Sequence, residues 1–423
     1  MNNYNVINFF NDLKWRKLIF NKTNNITKYF NNHNIILYIG FDPTYDSLHI
    51  GHLLPISIIY RYYKIYKINF ILIGEFTTKI IFNKNKFKFI KNNIKKIKKQ
   101  ILKLLNIKNI KFINNNYWLK KLSLYKFLNN ICKYISLNFM LKKKIIYNKL
   151  NNNNSIKVTK FLYQLLQGYD YYYLYKKYKC NLQIGGSDQW SNILTGIKII
   201  KKKYNKKVHG FTFPLLLNNN NIKFSKSNKN NFNIWLNKKY TSVYYFYQYF
   251  INLSDNNSII YIKYFSFLNK INIKTLINEH IKNPEKKILQ KQIAKELTKW
   301  VHNKKHCKNT IILSNILFKK SFNIKLINKY INIIKYYIKT YYYYFNKINN
   351  ILIFKFIKKK IFFNSNSEYK KFIKNNGIFL INGIKINNNL ITDFNNLIKN
   401  KYLIIQKGKK KHFLIKFIKN KNE

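Results

Sequence analysis

The stretch Tyr38–His52, YIGFDPTYDSLHIGH, constrains this chain more than any other. Its lead-in, Ile35-Ile36-Leu37, has the length and β-branched character of a buried strand. Gly40 allows backbone to approach a ligand closely, and Asp42-Pro43 punctuates a turn. Ser47 stands where an N-cap would open a helix running through His49, Gly51 and His52. Strand, glycine turn and helix start, in that order, are how a parallel α/β sheet builds an anion site. Two imidazoles one turn apart would face that site, and Gly51 between them leaves room for a flat group such as adenine. Taken alone, such a unit is more often structural than functional.

The chain repeats the pattern. Phe70-Ile71-Leu72-Ile73-Gly74 is a second strand closed by glycine. Asn181-Leu182-Gln183-Ile184 is another, ending in Gly185-Gly186-Ser187-Asp188-Gln189-Trp190. Open α/β sheets take their ligands where strand ends break into glycine and carboxylate. Residues 84–111 read as a helix exposed on one face, followed by a short strand at Lys111-Phe112-Ile113. Residues 125–150 have helical apolar spacing with a broad hydrophobic face, which suits core packing and self-association equally. The 159–178 stretch is helical, and spacings of four and three put Tyr163, Gln167 and Asp170 on one face. Polar groups on such a face are commonly just solvated; the glycine-rich strand end that follows is what makes this one a candidate site.

Past Pro214 the chain turns loop-like and then reads Lys223-Phe224-Ser225-Lys226-Ser227. A K-x-x-K-S string is a weak signal among so many lysines, and its weight comes from lying one βα unit after the Gly-Gly-Ser-Asp-Gln strand. Residues 235–330 look helical, and 326–350 form a Tyr/Ile/Lys/Asn run expected as a linker or aromatic-rich helix. From 351 to 423 the pattern is that of a small α+β unit with turns at Asn376-Gly377, Asn382-Gly383 and Lys407-Gly408.

Composition admits two readings. Lys+Arg 80 against Asp+Glu 13 gives a net charge of +67, which calls for a polyanionic partner such as RNA. Yet Lys, Asn, Ile, Tyr and Phe dominate, Arg16 and Arg61 are the only arginines, and Ala294 is the sole alanine. These are the residues that AT-rich codons encode, so drift accounts for most of the charge and an RNA surface for a smaller part. Cys132, Cys180 and Cys307 show no C-x-x-C spacing, which argues against a disulfide framework or zinc site and fits a reducing interior. His302, His306 and Cys307 are expected on an exposed helix face rather than around a metal. No apolar run reaches the ~18 residues of a membrane span, and MNNYNVINFFNDLKW has no signal-peptide pattern.

With these pieces in order, the chain resembles the bacterial-type tyrosyl-tRNA synthetases along nearly its full length. YIGFDPTYDSLHIGH, LLQGYDYYYLYKKYKCNLQIGGSDQWSNI and KFSKS look like that family's signature blocks, in family order and spacing. The tail FIKNNGIFLINGIKI…KYLIIQKGKKKHFLI is similar to the S4-type RNA-binding domain ending those enzymes. The resemblance implies an α/β fold with a Rossmann-like parallel-sheet catalytic domain over 1–220, including a dimer-contact insertion near 115–150. It implies a helical anticodon-binding domain over 221–330 with the KFSKS loop, a linker at 331–350, and an S4-like α+β domain over 351–423.

The same resemblance assigns residues. Tyr38 and Asp170 would read the tyrosine hydroxyl; Tyr163 and Gln167 would hold the ammonium, with Gln189 nearby. Gly40, Asp42, Gly51, Gly186 and Asp188 would meet ATP, the last two at its ribose. Thr44, His49 and His52 would contact the nucleotide phosphates, and Lys223, Lys226 and Ser227 would close over pyrophosphate. Mg²⁺ is expected with ATP rather than in a protein cage, so no protein metal site is expected. Implied partners are L-tyrosine, ATP, tRNA(Tyr) and a second copy of the chain, without a membrane. One segment departs from the family. Where the family has a glycine-rich stretch ending in Gly-Asp-Pro-Ser, this chain has GEFTTKIIFNKNKF, with Phe82 or Asn83 in the place of a substrate-holding carboxylate and Glu75 several residues away. The implied setting is the cytoplasm of an AT-rich bacterium, or an organelle after import, with little added before the catalytic domain. Two further readings compete. A synthetase-derived RNA-binding or splicing-assisting protein is disfavoured by the intact His49, His52, Asp170 and Lys226. A tryptophanyl enzyme is disfavoured by Tyr38 paired with Asp170, which suits a phenol rather than an indole.

Overall fold

The computed structural model describes residues 3–31, 33–63, 69–81, 87–107, 110–141, 158–216, 233–318, 323–345, 365, 367–368, 379–382, 384–385, 397–408 and 411–419. The chain forms two compact units, Met1–Asn237 with Leu253–Ile293, and Lys238–Asn252 with Ala294–Glu423.

The first unit is built on a sheet of six strands: β1 (Asn21–Lys22), β2 (Leu37–Phe41), β3 (Asn69–Ile73), β4 (Lys111–Asn114), β5 (Leu182–Gly186) and β6 (His209–Phe213). Their spatial order is β1-β6-β5-β2-β3-β4. All neighbours are parallel except the short β1, which pairs antiparallel with β6. Helices cross over between the parallel strands, among them Leu53–Tyr63, Phe87–Leu105, Val158–Tyr178 and Trp190–Tyr204. β2, β5 and β6 are buried along nearly their whole length, which explains their continuous apolar runs. The Phe87–Leu105 helix buries Ile90, Ile97, Ile101 and Leu104, the periodic face that its sequence predicts. Winding runs outward from β2 to β3 and β4, then returns to the other side of β2 with β5. The reversal leaves a crevice at the carboxyl ends of β2 and β5.

The link from β2 to its crossover helix differs from the expectation. Ser47 does not cap a helix; its hydroxyl donates to the carbonyl of Leu48. His49 caps a single 3₁₀ turn, Ile50–His52, and the α-helix starts only at Leu53. An imidazole nitrogen replaces the serine oxygen as the acceptor for the first exposed N–H groups.

In the second unit the helices Val243–Ile251, Lys304–Leu317 and Ile324–Tyr337 bury Val243, Leu313, Ile327, Ile331 and Ile334 in one core. That core continues into a five-stranded sheet through Ile404 and Leu414. The sheet comprises β7 (Thr340–Phe345), β8 (Phe379–Ile381), β9 (Ile384–Lys385), β10 (Tyr402–Lys407) and β11 (Lys411–Lys419), in the order β7-β11-β10-β8-β9. The 331–350 stretch is therefore no linker: its described part is the end of a helix and a strand, and β7 pairs parallel with β11 over six residues. Nor do the helices of 221–330 stay together, because 253–293 belong to the first unit and 294–330 to the second. His302 and Cys307, expected at a surface, are buried, with His302 edge-on to Phe246 at 5.0 Å. The Asn382 turn behaves as its sequence predicts, with φ at 46° between the antiparallel β8 and β9. The Asn376-Gly377 turn lies outside the described residues.

Candidate active site

The crevice at the switch point is a cleft of about 600 Å³. β2 and the turn after it deliver Tyr38, Gly40, Asp42, Thr44, His49, Gly51 and His52 to its wall. The Val158–Tyr178 helix delivers Tyr163, Gln167 and Asp170, and the end of β5 delivers Gly186, Asp188 and Gln189. Lys223, Lys226 and Ser227 lie outside the described residues, as do Phe82 and Asn83.

At the closed end, Asp170 is buried and accepts two hydrogen bonds, from Trp118 Nε1 at 2.8 Å and Asn115 Nδ2 at 3.1 Å. Burial still pushes its pKa up to about 7, with the Asp42 charge adding to the rise and the two hydrogen bonds opposing it. The Tyr38 hydroxyl is buried without a hydrogen-bond partner. Burial, reinforced by the Asp170 charge, holds that phenol well above its ordinary range, so it stays protonated. A buried unpaired hydroxyl costs about 1–3 kcal/mol, which a ligand with a matching polar group would recover.

Along one wall Asn115 Nδ2 also donates to Thr77 Oγ1 at 3.5 Å, and Thr77 Oγ1 donates to Asp42 Oδ1 at 3.4 Å. Opposite, the Tyr163 hydroxyl donates to Asp42 Oδ2 at 3.2 Å. Asn192 Nδ2 donates to the amide oxygens of both Gln167 (2.7 Å) and Gln189 (2.8 Å), clipping two elements together.

At the open end the backbone assigns the imidazole tautomers. Gly51 N–H donates to His49 Nδ1 at 3.1 Å, and His49 N–H donates to His52 Nδ1 at 3.1 Å. A backbone N–H can only donate, so both Nδ1 atoms are acceptors and both neutral rings carry their proton on Nε2. The ring centroids are 4.0 Å apart. Trp235 packs edge-on to His49 at 5.9 Å, and Ile50 N–H donates to the Ile234 carbonyl at 2.9 Å. Leu215 and Leu216 line the same cleft. The flanks of 217–232 thus both lie at the cleft, the second of them beside the histidines.

A phenol-matched closed end and a pair of Nε2–H donors at the mouth fit a site joining an aromatic amino acid to a nucleotide. Known proteins agree. Residues 30–319 match the family of class I tRNA synthetases for tryptophan and tyrosine, labelled W and Y. The chain belongs to this family. It is 37% identical to the tyrosine–tRNA ligase of Mycoplasma mycoides, over 96% of this chain and 98% of that one. It is 38% identical to the tyrosine–tRNA ligase of Wigglesworthia glossinidia brevipalpis, over 96% and 97% of the two chains. Among solved structures it is similar to a C-terminally truncated mitochondrial tyrosyl-tRNA synthetase from Coccidioides posadasii, with TM-score 0.61 and 28% identity, covering 71% of this chain and 90% of that one.

For a synthetase of this class, three residues stand out that sequence reasoning did not select: Thr77 and Asn115, which line the cleft, and Trp118, which donates to Asp170. Asn115 directly follows β4, so the rule that pointed to the carboxyl ends of β2 and β5 also pointed there. Gln183, on β5 in register with Tyr38, is a fourth; its buried amide oxygen has no hydrogen-bond partner. Glu75 does not stand in for the absent carboxylate. It is tied to Lys79 and Asn114, each at 2.6 Å, and does not line the cleft.

Proposed function

We propose that this chain is a tyrosine–tRNA ligase, activating L-tyrosine with ATP to tyrosyl-adenylate and pyrophosphate and then passing the tyrosyl group to the 3′-terminal adenosine of tRNA(Tyr). One observation carries the substrate choice: the unpartnered Tyr38 hydroxyl beside the hydrogen-bonded Asp170. A phenolic substrate donates to the Asp170 carboxylate and accepts from Tyr38, whereas phenylalanine leaves both unmet. Sites of this design reject the analogue lacking the hydroxyl by ~10⁵, a figure for which this enzyme family is itself the standard example.

Activation needs no covalent enzyme intermediate. The tyrosine carboxylate attacks the α-phosphorus and pyrophosphate leaves, so the protein's task is orientation and charge stabilisation. Thr44 and the Nε2–H groups of His49 and His52 meet the phosphates, Gly40 and Gly51 leave room for the nucleotide, and Gly186 with Asp188 meets the ribose. Lys223, Lys226 and Ser227 close over the departing pyrophosphate; the position of both flanks of 217–232 at the cleft supports this. Mg²⁺ arrives with ATP as the counter-ion of its phosphates, keeping mostly water and phosphate oxygens as ligands.

Transfer RNA is positioned by the lysine-rich second unit, with helices toward the anticodon and an S4-like terminal sheet, through phosphate contacts. The enzyme works as a homodimer. Tyr117, Leu124, Tyr125 and Leu137, exposed between β4 and the Val158–Tyr178 helix, support a self-association surface there. The bacterial relatives support a bacterial cytoplasm as its setting; among the described residues no helix is long and apolar enough to cross a membrane.

The decisive experiment is amino-acid-dependent exchange of pyrophosphate into ATP. Exchange with tyrosine, and with neither phenylalanine nor tryptophan, is the expected result. Exchange with none of the three, from folded protein that binds tRNA, overturns the reading.

A further inference from the structure

Between Phe41, where β2 ends, and Ile50, where the 3₁₀ turn opens, the chain belongs to no helix or strand. Yet this loop carries Thr44, Tyr45 and His49 into the cleft wall. The Thr44 hydroxyl is buried there without a hydrogen-bond partner, so, like that of Tyr38, it stands ready for a polar group of a ligand. A loop has no ladder of its own to fix its shape. The precision of the groups it carries has to come from another element.

That element is the Phe87–Leu105 helix. Its buried face runs Ile90, Asn93, Ile97, Ile101 and Leu104, an apolar stripe at spacings of three and four with one asparagine inside it. A buried polar side chain in such a stripe calls for a partner. Asn93 Nδ2 donates to the Pro43 carbonyl at 3.1 Å. Two turns further along, Gln100 Oε1 accepts from the Leu48 N–H at 2.8 Å, and Gln100 Nε2 donates to Ser47 Oγ at 3.2 Å. Backbone fixes both amide orientations, because a carbonyl can only accept and an N–H can only donate. Between the two, Lys96 pairs with Asp46 at 2.8 Å; that lysine is exposed, which makes it the weakest of the three tethers. The two amides bracket the loop. Asn93 holds the backbone one residue before Thr44, and Gln100 holds it one residue before His49. Neither amide lines the cleft itself.

We propose that Asn93 and Gln100 are positioning residues for the activation step, fixing the loop so that Thr44 and His49 meet the phosphates of ATP without rearrangement. The proposal rests on the tyrosine–tRNA ligase reading above. It assigns the buried face of this helix a task besides packing: part of the site's preorganisation is stored in a helix that never touches the substrates.

The test uses Gln100→Met in the full-length protein, a change that keeps the side chain's length and removes both hydrogen bonds. Pyrophosphate exchange is measured with ATP varied at saturating tyrosine, and tyrosine binding is measured separately at equilibrium. The kcat/KM for ATP is expected to fall about ten- to a hundred-fold, the scale for displaced reacting groups, while the dissociation constant for tyrosine stays unchanged. A parallel loss in both, as general destabilisation would give, overturns the proposal and leaves the tyrosine reading intact. So does a loss in neither. Wild-type protein that shows no tyrosine-dependent exchange overturns both. Should Gln100→Met lose its folded circular-dichroism signal, Asn93→Asp, which sets a carboxylate against the Pro43 carbonyl without changing size, is judged by the same two measurements.

Discussion

Asp170 shows how a single side chain trades stability for recognition. Its folded-state pKa of about 7 exceeds the ordinary 3.8, so between those values the folded chain holds a proton that the unfolded chain has released. Stability therefore falls as pH rises through that window, by about 4 kcal/mol if the whole difference is expressed. We expect wild-type protein without substrate to be more resistant to urea at pH 5 than at pH 8, and Asp170→Asn to flatten that slope. Tyrosine affinity runs the other way, rising as the carboxylate ionises and accepts the phenol. The two arginines make a different point at this scale. Arg16 and Arg61 both donate to the Ser266 carbonyl, at 2.8 and 2.7 Å, and Arg16 also reaches the carbonyls of Lys263 and Leu268. Lysine has no planar fork to span such a cluster, which gives a physical reason for arginine at both sites in a lysine-rich chain.

Among the elements, the Val158–Tyr178 helix matters most, because Tyr163, Gln167 and Asp170 ride on it. It packs against Trp190–Tyr204 through glycine on both sides. A Cβ at Gly196 would stand 2.7 Å from Tyr171 Cβ, and one at Gly168 would stand 2.6 Å from Thr195 Cγ2. Gly196→Ala is expected to cost about 1–3 kcal/mol by overpacking, read as a lower urea midpoint. It should also raise the KM for tyrosine, since the displaced helix carries the substrate's polar contacts. An unchanged KM in a destabilised variant would separate packing from positioning. The spacing of four and three was legible in the sequence, as was the shared face. Neither glycine signalled its role there, because close approach depends on the partner helix rather than on local preference.

For the whole molecule, the question is assembly and charge. Leu124 and Tyr125 are 72% and 76% exposed, and Tyr117 and Leu137, near them in the chain, are exposed as well. Replacing both with Asp is expected to shift the sedimenting species from twice 51.6 kDa to 51.6 kDa, without lowering the urea midpoint, because neither side chain is in the core. A wild-type protein already at the monomer mass would sink the dimer reading. The net charge of +67 is a blunter instrument, since it favours any polyanion and identifies no particular face.

The sequence by itself determined the parallel α/β class, the order of the strands that open the site, and the cleft residues it singled out, though not Gln183, which lies on a signature block. Those features are local: strand periodicity, a glycine at a strand end, and helical spacing are written within about twenty residues. Tertiary structure alone decided the rest. Thr77 and Asn115 reach the cleft, and Trp118 reaches Asp170, from segments with no motif, and the histidine tautomers follow from backbone donors that only the folded turn presents. The strand Thr340–Phe345 formed where a linker or an aromatic-rich helix was expected, because β11, some seventy residues later, supplies its hydrogen bonds. Such facts depend on partners distant in sequence, and no local pattern encodes them.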